Sequence, residues 1–385
     1  MTPGARIAAA IEVLDRILDG DPAEAALLRW SRASRFAGSG DRAAVRDLVF
    51  GALRQRNTLA ALGGGLTGRG LMIGLARAEG RDPQALFTGT GHAPAPLTEA
   101  EAAHAATPPG PLADLPEWLH PAWRASLGDR AEAVAATMGQ RAPVWLRANL
   151  ARGPREAAAA ALATDGVLTE PGAGASALRV TEGERRVAAS SAYRDGLVEL
   201  QDLSPQLACE ALPLAPGMRV LDYCAGGGGK VLALAARQPG ATFFAHDAAP
   251  QRLKDLPARA ARAGARVSVL PRVTGRFDLV VADVPCSGSG TWRRSPDARW
   301  RTTPQDLDRL LVTQAQILRD VARMVAQGGH LAYMTCSLLD DENDSQISRF
   351  LSENPEFDVA TQRLWTPLEA GDGFFLSLLL RQGDG

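Results

Sequence analysis

The sequence predicts an α/β protein in three parts: an all-α N-terminal region, a small α+β module, and a mostly parallel, doubly wound domain. Three observations carry this. Apolar residues recur at helical spacing up to about residue 140. From Pro143 short strand and helix patterns replace them. From about Gly196 strands and helices alternate regularly, which calls for a parallel sheet with crossover helices. The boundaries drawn are 1–140, 141–195 and 196–385.

The first helix opens at Thr2-Pro3, a cap followed by proline at the first helical position, and shows Ile7, Ile11, Leu14, Ile17 and Leu18 on one face. Asp21-Pro22-Ala23-Glu24 resembles a capping box for a second helix carrying Leu27, Leu28 and Trp30. Asp41 is the expected cap of a third, with Val45, Leu48, Val49, Ala52 and Leu53 buried, ending before Gly63-Gly64-Gly65. Arginines 29, 32, 35, 42, 46, 54 and 56 crowd this region. They form either a solvated face or a surface for RNA phosphates. Residues 89–116, rich in Gly, Pro, Ala and Thr, read as a loop or linker. A helical piece with Trp118 and Trp123 follows over 117–138.

In the middle module, 144–150 reads as a strand, 155–164 as a helix, and 169–170 and 177–180 as short strands, which fits a ferredoxin-like sheet without stacking aromatics. In the last part the strands expected are 218–223, 242–246, 266–270, 277–282, 330–334 and 373–381. Helices are expected from 231, over 251–263, over 305–326 and over 341–353.

Composition narrows the function classes. No run of 18 apolar residues exists, so no membrane span is expected. Glu12, Asp15 and Asp19 argue against a secretory signal. The four cysteines, Cys209, Cys224, Cys286 and Cys336, form no CxxC pair, and histidine is scarce, so no metal site is expected. Free thiols used for chemistry imply a reducing compartment, hence the cytoplasm. The net charge of −1 does not announce a nucleic-acid binder, but the basic residues are arginines apart from Lys230 and Lys254. Arginine suits bidentate phosphate contacts; a genome that prefers Arg to Lys gives the same composition.

Two constellations carry chemistry. The first is the glycine loop 224–230, CAGGGGK, between a strand and a helix, followed 21 residues after Gly226 by Asp247 at the end of the next strand. That is the plan of an adenosine-cofactor site: glycines admit the ligand to the backbone, and the acid takes both ribose hydroxyls. Val231 after Lys230 breaks the phosphate-loop pattern of nucleotide triphosphatases. The second is a pair of thiols just past buried strands, in Asp283-Val284-Pro285-Cys286 and Thr335-Cys336-Ser337. Ligands bind at the carboxyl ends of strands in open α/β sheets, so both sulfurs and Asp283 are expected to face one cleft.

These motifs resemble, in order, those of the Fmu/Sun (NOL/NOP/Sun) family of S-adenosylmethionine-dependent RNA cytosine-5 methyltransferases. LQDLSPQ at 200–206, LDYCAGGGGK at 221–230, DVPCSGSGTWRRSPDARW at 283–300, YMTCSLLDDEN at 333–343 and DGFF at 372–375 carry the resemblance. It covers about 143–385. SRFAGSGDRAAVRDLVFGALR at 34–54 is similar, less specifically, to the NusB-like RNA-binding domain of bacterial members.

The resemblance implies a Rossmann-like methyltransferase domain and S-adenosyl-L-methionine as cofactor. Contacts to it fall to Cys224, Ala225, Gly226, Gly227, Gly228, Gly229, Lys230, Asp247, Arg252 and Asp283. It implies Cys336 as the nucleophile at cytosine carbon-6, Cys286 as the base that assists release, and Asp283 on the cytosine edge. Lys230 either lowers a thiol's pKa or orients the base. Arg293, Arg294, Arg299 and Arg301 are expected on RNA phosphates. The implied partner is ribosomal RNA acted on by a monomer. The alternatives are tRNA, or an assembly factor with vestigial activity. Two departures stand out. Gly226-Gly227 replaces the family's Ala-Pro, which predicts a floppier loop. The acid after the third strand that meets adenine is absent near Pro271 and Arg272, which predicts weak cofactor affinity.

Overall fold

The structure, a computed structural model, describes residues 1–369 and 371–383. Two compact units divide it: residues 1–141 with 292–302, and residues 142–291 with 303–385.

The first unit is helical, with helices Pro3–Leu18, Ala23–Ala33, Ser39–Arg54, Arg56–Gly63, Gly68–Ala78, Glu99–Ala103, His120–Leu127 and Ala131–Met138. Thr2 caps the first helix by accepting from Ala5 N, and Ile7, Ala10, Val13 and Leu14 form its buried face. Asp21 does not cap the second. Pro22 holds that position, and Asp21 instead takes Arg29 at 2.6 Å. Asp41 lies inside the third helix, capped by Gly38, and collects the N-terminal amine and Arg6. Helices Arg56–Gly63 and Gly68–Ala78 meet at 90°. They touch backbone to backbone: a Cβ at Gly63 would lie 1.8 Å from Gly70 O. Glycine is therefore required there for the close approach, while Gly64, at φ +85°, makes the turn. The expected linker 89–116 contains the helix Glu99–Ala103, closed by a capping box between Thr98 and Glu101, and a 3-10 turn at Pro111–Asp114. No single helix among the described residues is long and apolar enough to cross a membrane.

Segment 292–302 corrects the expectation for Arg293 and Arg299, while Arg294 and Arg301 are exposed. Its helix Pro296–Arg301 buries Arg299 to 1% exposure, and the guanidinium donates to Asp114 O at 2.9 Å and Met138 O at 3.1 Å. Arg293 is buried too. Buried guanidinium groups that satisfy helix-end carbonyls are part of a core and do not face phosphates.

The second unit holds two sheets. The smaller, in order β2-β3-β1-β4, pairs β1 (Trp145–Ala148), β2 (Leu168–Pro171), β3 (Ala177–Glu182) and β4 (Val198–Leu200) antiparallel. Helix Arg155–Thr164 covers it through Ala158 and Leu162. The larger sheet runs β10-β11-β9-β8-β5-β6-β7. Its strands are β5 (Arg219–Asp222), β6 (Thr242–Ala245), β7 (Val267–Val269), β8 (Phe277–Asp283), β9 (Val325–Thr335), β10 (Phe357–Trp365) and β11 (Phe374–Arg381). Strands β5 to β9 pair in parallel, and β11 and β10 add an antiparallel edge. Alternate residues of β8 feed opposite faces, Leu279 and Val281 into one apolar core and Val280 and Ala282 into the other. A strand buried on both faces reads as a continuous apolar run, which is why β8 is visible in the sequence. The domain is Rossmann-like. Strand order reverses between β5 and β8, so the loops at their carboxyl ends frame a crevice.

Candidate active site

The neighbouring parallel strands β8 and β9 end level, with Asp283 opposite Met334. Val284 N donates to Met334 O at 3.0 Å, and Gly290 N donates to Cys336 O at 2.9 Å, which closes both turns on each other. The sulfurs of Cys286 and Cys336 consequently sit 3.4 Å apart. Donating its proton to the partner sulfur, together with burial and the nearby Glu342 carboxylate, holds the Cys286 thiol well above the usual range. Gly290 has no room for a side chain, because a Cβ there would lie 2.3 Å from Gly373 O. This seats the 371–373 turn against the thiol loops.

Lys230 reaches across from the glycine loop. Its ammonium lies 2.5 Å from Asp283 Oδ2, and Phe374 lies beneath it at 5.3 Å. Burial works against this charge, but the Asp283 carboxylate outweighs it and holds the ammonium protonated. Lys230 and Asp283 thus act as one unit, with the amine supplying donors beside the carboxylate.

The glycine loop is held by backbone and by acids. Ala225 N donates to His246 O, and Gly228 N to Ala225 O. Gly226 N donates to Asp247 Oδ2 at 2.9 Å, and Arg252 pairs with the same oxygen at 3.2 Å. The loop expected to be floppy is therefore tied at three points. Gly228 caps helix Gly229–Arg237 with φ +82°, and a Cβ there would meet Leu256 Cδ1 at 2.2 Å. On the far side Arg147, buried in β1, donates to Gly229 O at 2.8 Å and to Gln201. Neither Arg147 nor Gln201 stood out in the sequence. An arginine inside a four-residue strand gives no periodic signal.

Asp222, at the end of β5, accepts from Val231 N through Oδ2, while its buried Oδ1 has no partner. Burial pushes this carboxyl up to about 7. Asp222, Asp247 and Asp283 surround the loop, with Lys230 paired to Asp283 and Arg252 to Asp247. A buried acceptor without a partner among the described residues suits a ligand that brings donors. Near the position where the family's adenine-meeting acid is absent, His246 Nδ1 pairs with Leu270 O at 2.9 Å, and the Tyr223 ring lies 5.0 Å from the His246 ring. A cavity of 660 Å³ lined by Arg147, Asn149 and Arg266 opens at the opposite ends of β6 and β7, away from the thiols. Cys209 is buried beneath the sheet, and burial raises its thiol to about 11.

Comparison with known proteins fits this geometry. The family model for the 16S rRNA methyltransferase RsmB/F matches residues 209–379, and the RsmF/B-like ferredoxin-like domain matches 115–186. Ribosomal RNA small subunit methyltransferase B of Xanthomonas campestris is 34% identical over 299 residues, covering 70% of this chain and 67% of its own. The Xylella fastidiosa protein of the same name is 33% identical over 293 residues, covering 69% and 68%. Among solved structures, PH0851 aligns with TM-score 0.77 at 23% identity over 98% of this chain and 99% of its own. NSun6 from Pyrococcus horikoshii, solved with SFG, aligns with TM-score 0.62 at 14% identity over 70% and 99%. The chain belongs to the Fmu/Sun family, within its RsmB/F group of methyltransferases.

Proposed function

We propose that the protein is an S-adenosylmethionine-dependent ribosomal RNA (cytosine-5) methyltransferase of the cytoplasm. The observation that carries the reading is the pair of sulfurs in contact at the ends of β8 and β9, beside the Lys230–Asp283 pair. The cofactor supplies an electrophilic methyl group when bound. The glycine loop 224–230, Asp222, Asp247 with Arg252, and the Asp283 carboxylate are the groups that would hold it.

Cytosine carbon-5 is a weak nucleophile, and a sulfur adding at carbon-6 makes it an enamine. By the family resemblance Cys336 is the attacking sulfur; its contact with Cys286, together with burial, disfavours a thiolate at Cys286. Asp283 and the Lys230 ammonium face the N3/N4 edge and stabilise charge that develops there. Bonding of Cys336 to carbon-6 leaves Cys286 as the free thiol of the pair. Cys286 then releases its proton to solvent and takes the carbon-5 proton. The carbon–sulfur bond to Cys336 breaks as the ring double bond reforms.

Bisulfite sequencing of total RNA from cells with and without the gene tests this. The expected result is one cytosine in small-subunit ribosomal RNA that resists conversion only when the gene is present. Gene-dependent resistance confined to tRNA would contradict the assigned substrate, and none at all would contradict the activity.

A further inference from the structure

Behind the two thiols lies a carboxylate that the methyl-transfer scheme does not use. Glu342 is fully buried. Its Oε1 accepts from Ser287 N at 2.8 Å and Gln314 Nε2 at 3.0 Å. Its Oε2 accepts from Ser287 Oγ and Ser337 Oγ, each at 2.5 Å. These four donors use the whole accepting capacity of a carboxylate. Ser287 and Ser337 are the residues directly after Cys286 and Cys336. One side chain therefore fastens both cysteine turns.

The tie is braced at both ends. Tyr333 donates its hydroxyl to Glu342 O at 2.7 Å, which fixes the glutamate's own backbone. Ser289 Oγ lies 3.0 Å from Ser337 Oγ and accepts from Leu338 N at 2.8 Å, a second link between the two turns. Among the described residues the Glu342 carboxylate meets neutral donors alone. A buried charge without a cation is a poor source of stability compared with an apolar side chain of the same size. What it provides is direction: three bonds from two turns and one from Gln314 on helix Pro304–Ala322 converge on two oxygens.

We propose that Glu342 is a positioning residue that holds the turns after β8 and β9 together and so keeps the sulfurs of Cys286 and Cys336 in contact. This rests on the reading of the site as a two-thiol methyl-transfer centre. The Glu342 carboxylate beside Cys286 also disfavours a thiolate on that sulfur.

Phenylarsine oxide tests the contact without RNA. It captures two adjacent thiols, forming two arsenic–sulfur bonds while its oxygen leaves as water with both thiol protons. Intact mass reports capture, and Cys286→Ala sets the background. Glu342→Ala is expected to slow capture about tenfold and lower kcat for RNA methylation at least as much, with KM for RNA unchanged. Glu342→Gln, which keeps an accepting oxygen for Ser287 N and Gln314, is expected to restore most of the capture rate. If Glu342→Ala does not fold, Ser337→Ala decides, since it cuts one arm of the tie and is expected to give a smaller loss of both. A folded Glu342→Ala or Ser337→Ala protein that captures the arsenical at the wild-type rate overturns the proposal. Capture that depends on Glu342 in a protein that methylates no RNA supports the positioning role and overturns the function proposed above.

Discussion

The turn after β5 and the paired turns after β8 and β9 occupy the same ends of one sheet and are built by opposite means. The first is backbone: glycines at positive φ, with amides aimed at Asp222 and Asp247. The second is side chain: two sulfurs, three serine hydroxyls and a buried carboxylate. A loop that must admit a large ligand does best with little of its own in the way. A pair of reacting sulfurs must be held to a fraction of an ångström, which takes directional bonds from several elements. Lys230 belongs to both, since it leaves the glycine loop and ends on Asp283.

Substitutions break this comparison in graded fashion. The largest effect is expected at Cys336→Ala, which removes the attacking sulfur: methylation of RNA falls to background, while the melting temperature moves little. Next is Lys230→Met, which separates the two halves. It is expected to lower kcat about 100-fold, as removal of one charge-stabilising donor does elsewhere, and single-turnover kinetics would read it. Gly228→Ala should act on the glycine turn alone. It forces a side chain into φ +82° and against Leu256, at a cost of about 1–3 kcal/mol, seen in denaturant unfolding together with weaker cofactor binding.

A separate effect is a pH dependence. Folded Asp222 is held at about 7, against about 3.9 in an unfolded chain. The folded state therefore binds the proton more tightly. This contribution is complete below about 4 and is lost as pH rises through about 7. Asp222→Asn should flatten the melting temperature against pH across that window and leave the variant relatively more stable above it. A curve that keeps its wild-type shape would mean that Asp222 does not carry the proton.

The same contrast explains what could be read from the residues. Strands β8 and β9 are apolar runs that stop at proline or at small polar residues, so the thiols and Asp283 could be placed at strand ends. The spacing of Gly226 and Asp247 was readable for the same reason, since backbone loops leave their glycines in the sequence. Side-chain networks leave no such trace. Glu342 stands in Asp340-Asp341-Glu342, which looks like a solvated acidic run, yet it is fully buried. Arg299, in an arginine-rich stretch beside the catalytic motif, looked like a phosphate contact and proved to be a buried clasp for helix-end carbonyls. Strand β10 escaped because most of its residues are exposed, so neither alternation nor an apolar run marks it. Strand β4 is three residues long and is made by pairing with β1 rather than by its own preference.

The assignment of roles to the two sulfurs is tested most directly by incubating Cys286→Ala protein with its RNA and cofactor and resolving the mixture on a denaturing gel. The account predicts a slowly migrating protein–RNA adduct that persists because release is blocked, and that disappears when Cys336→Ala is added. An adduct formed by Cys336→Ala instead would contradict it.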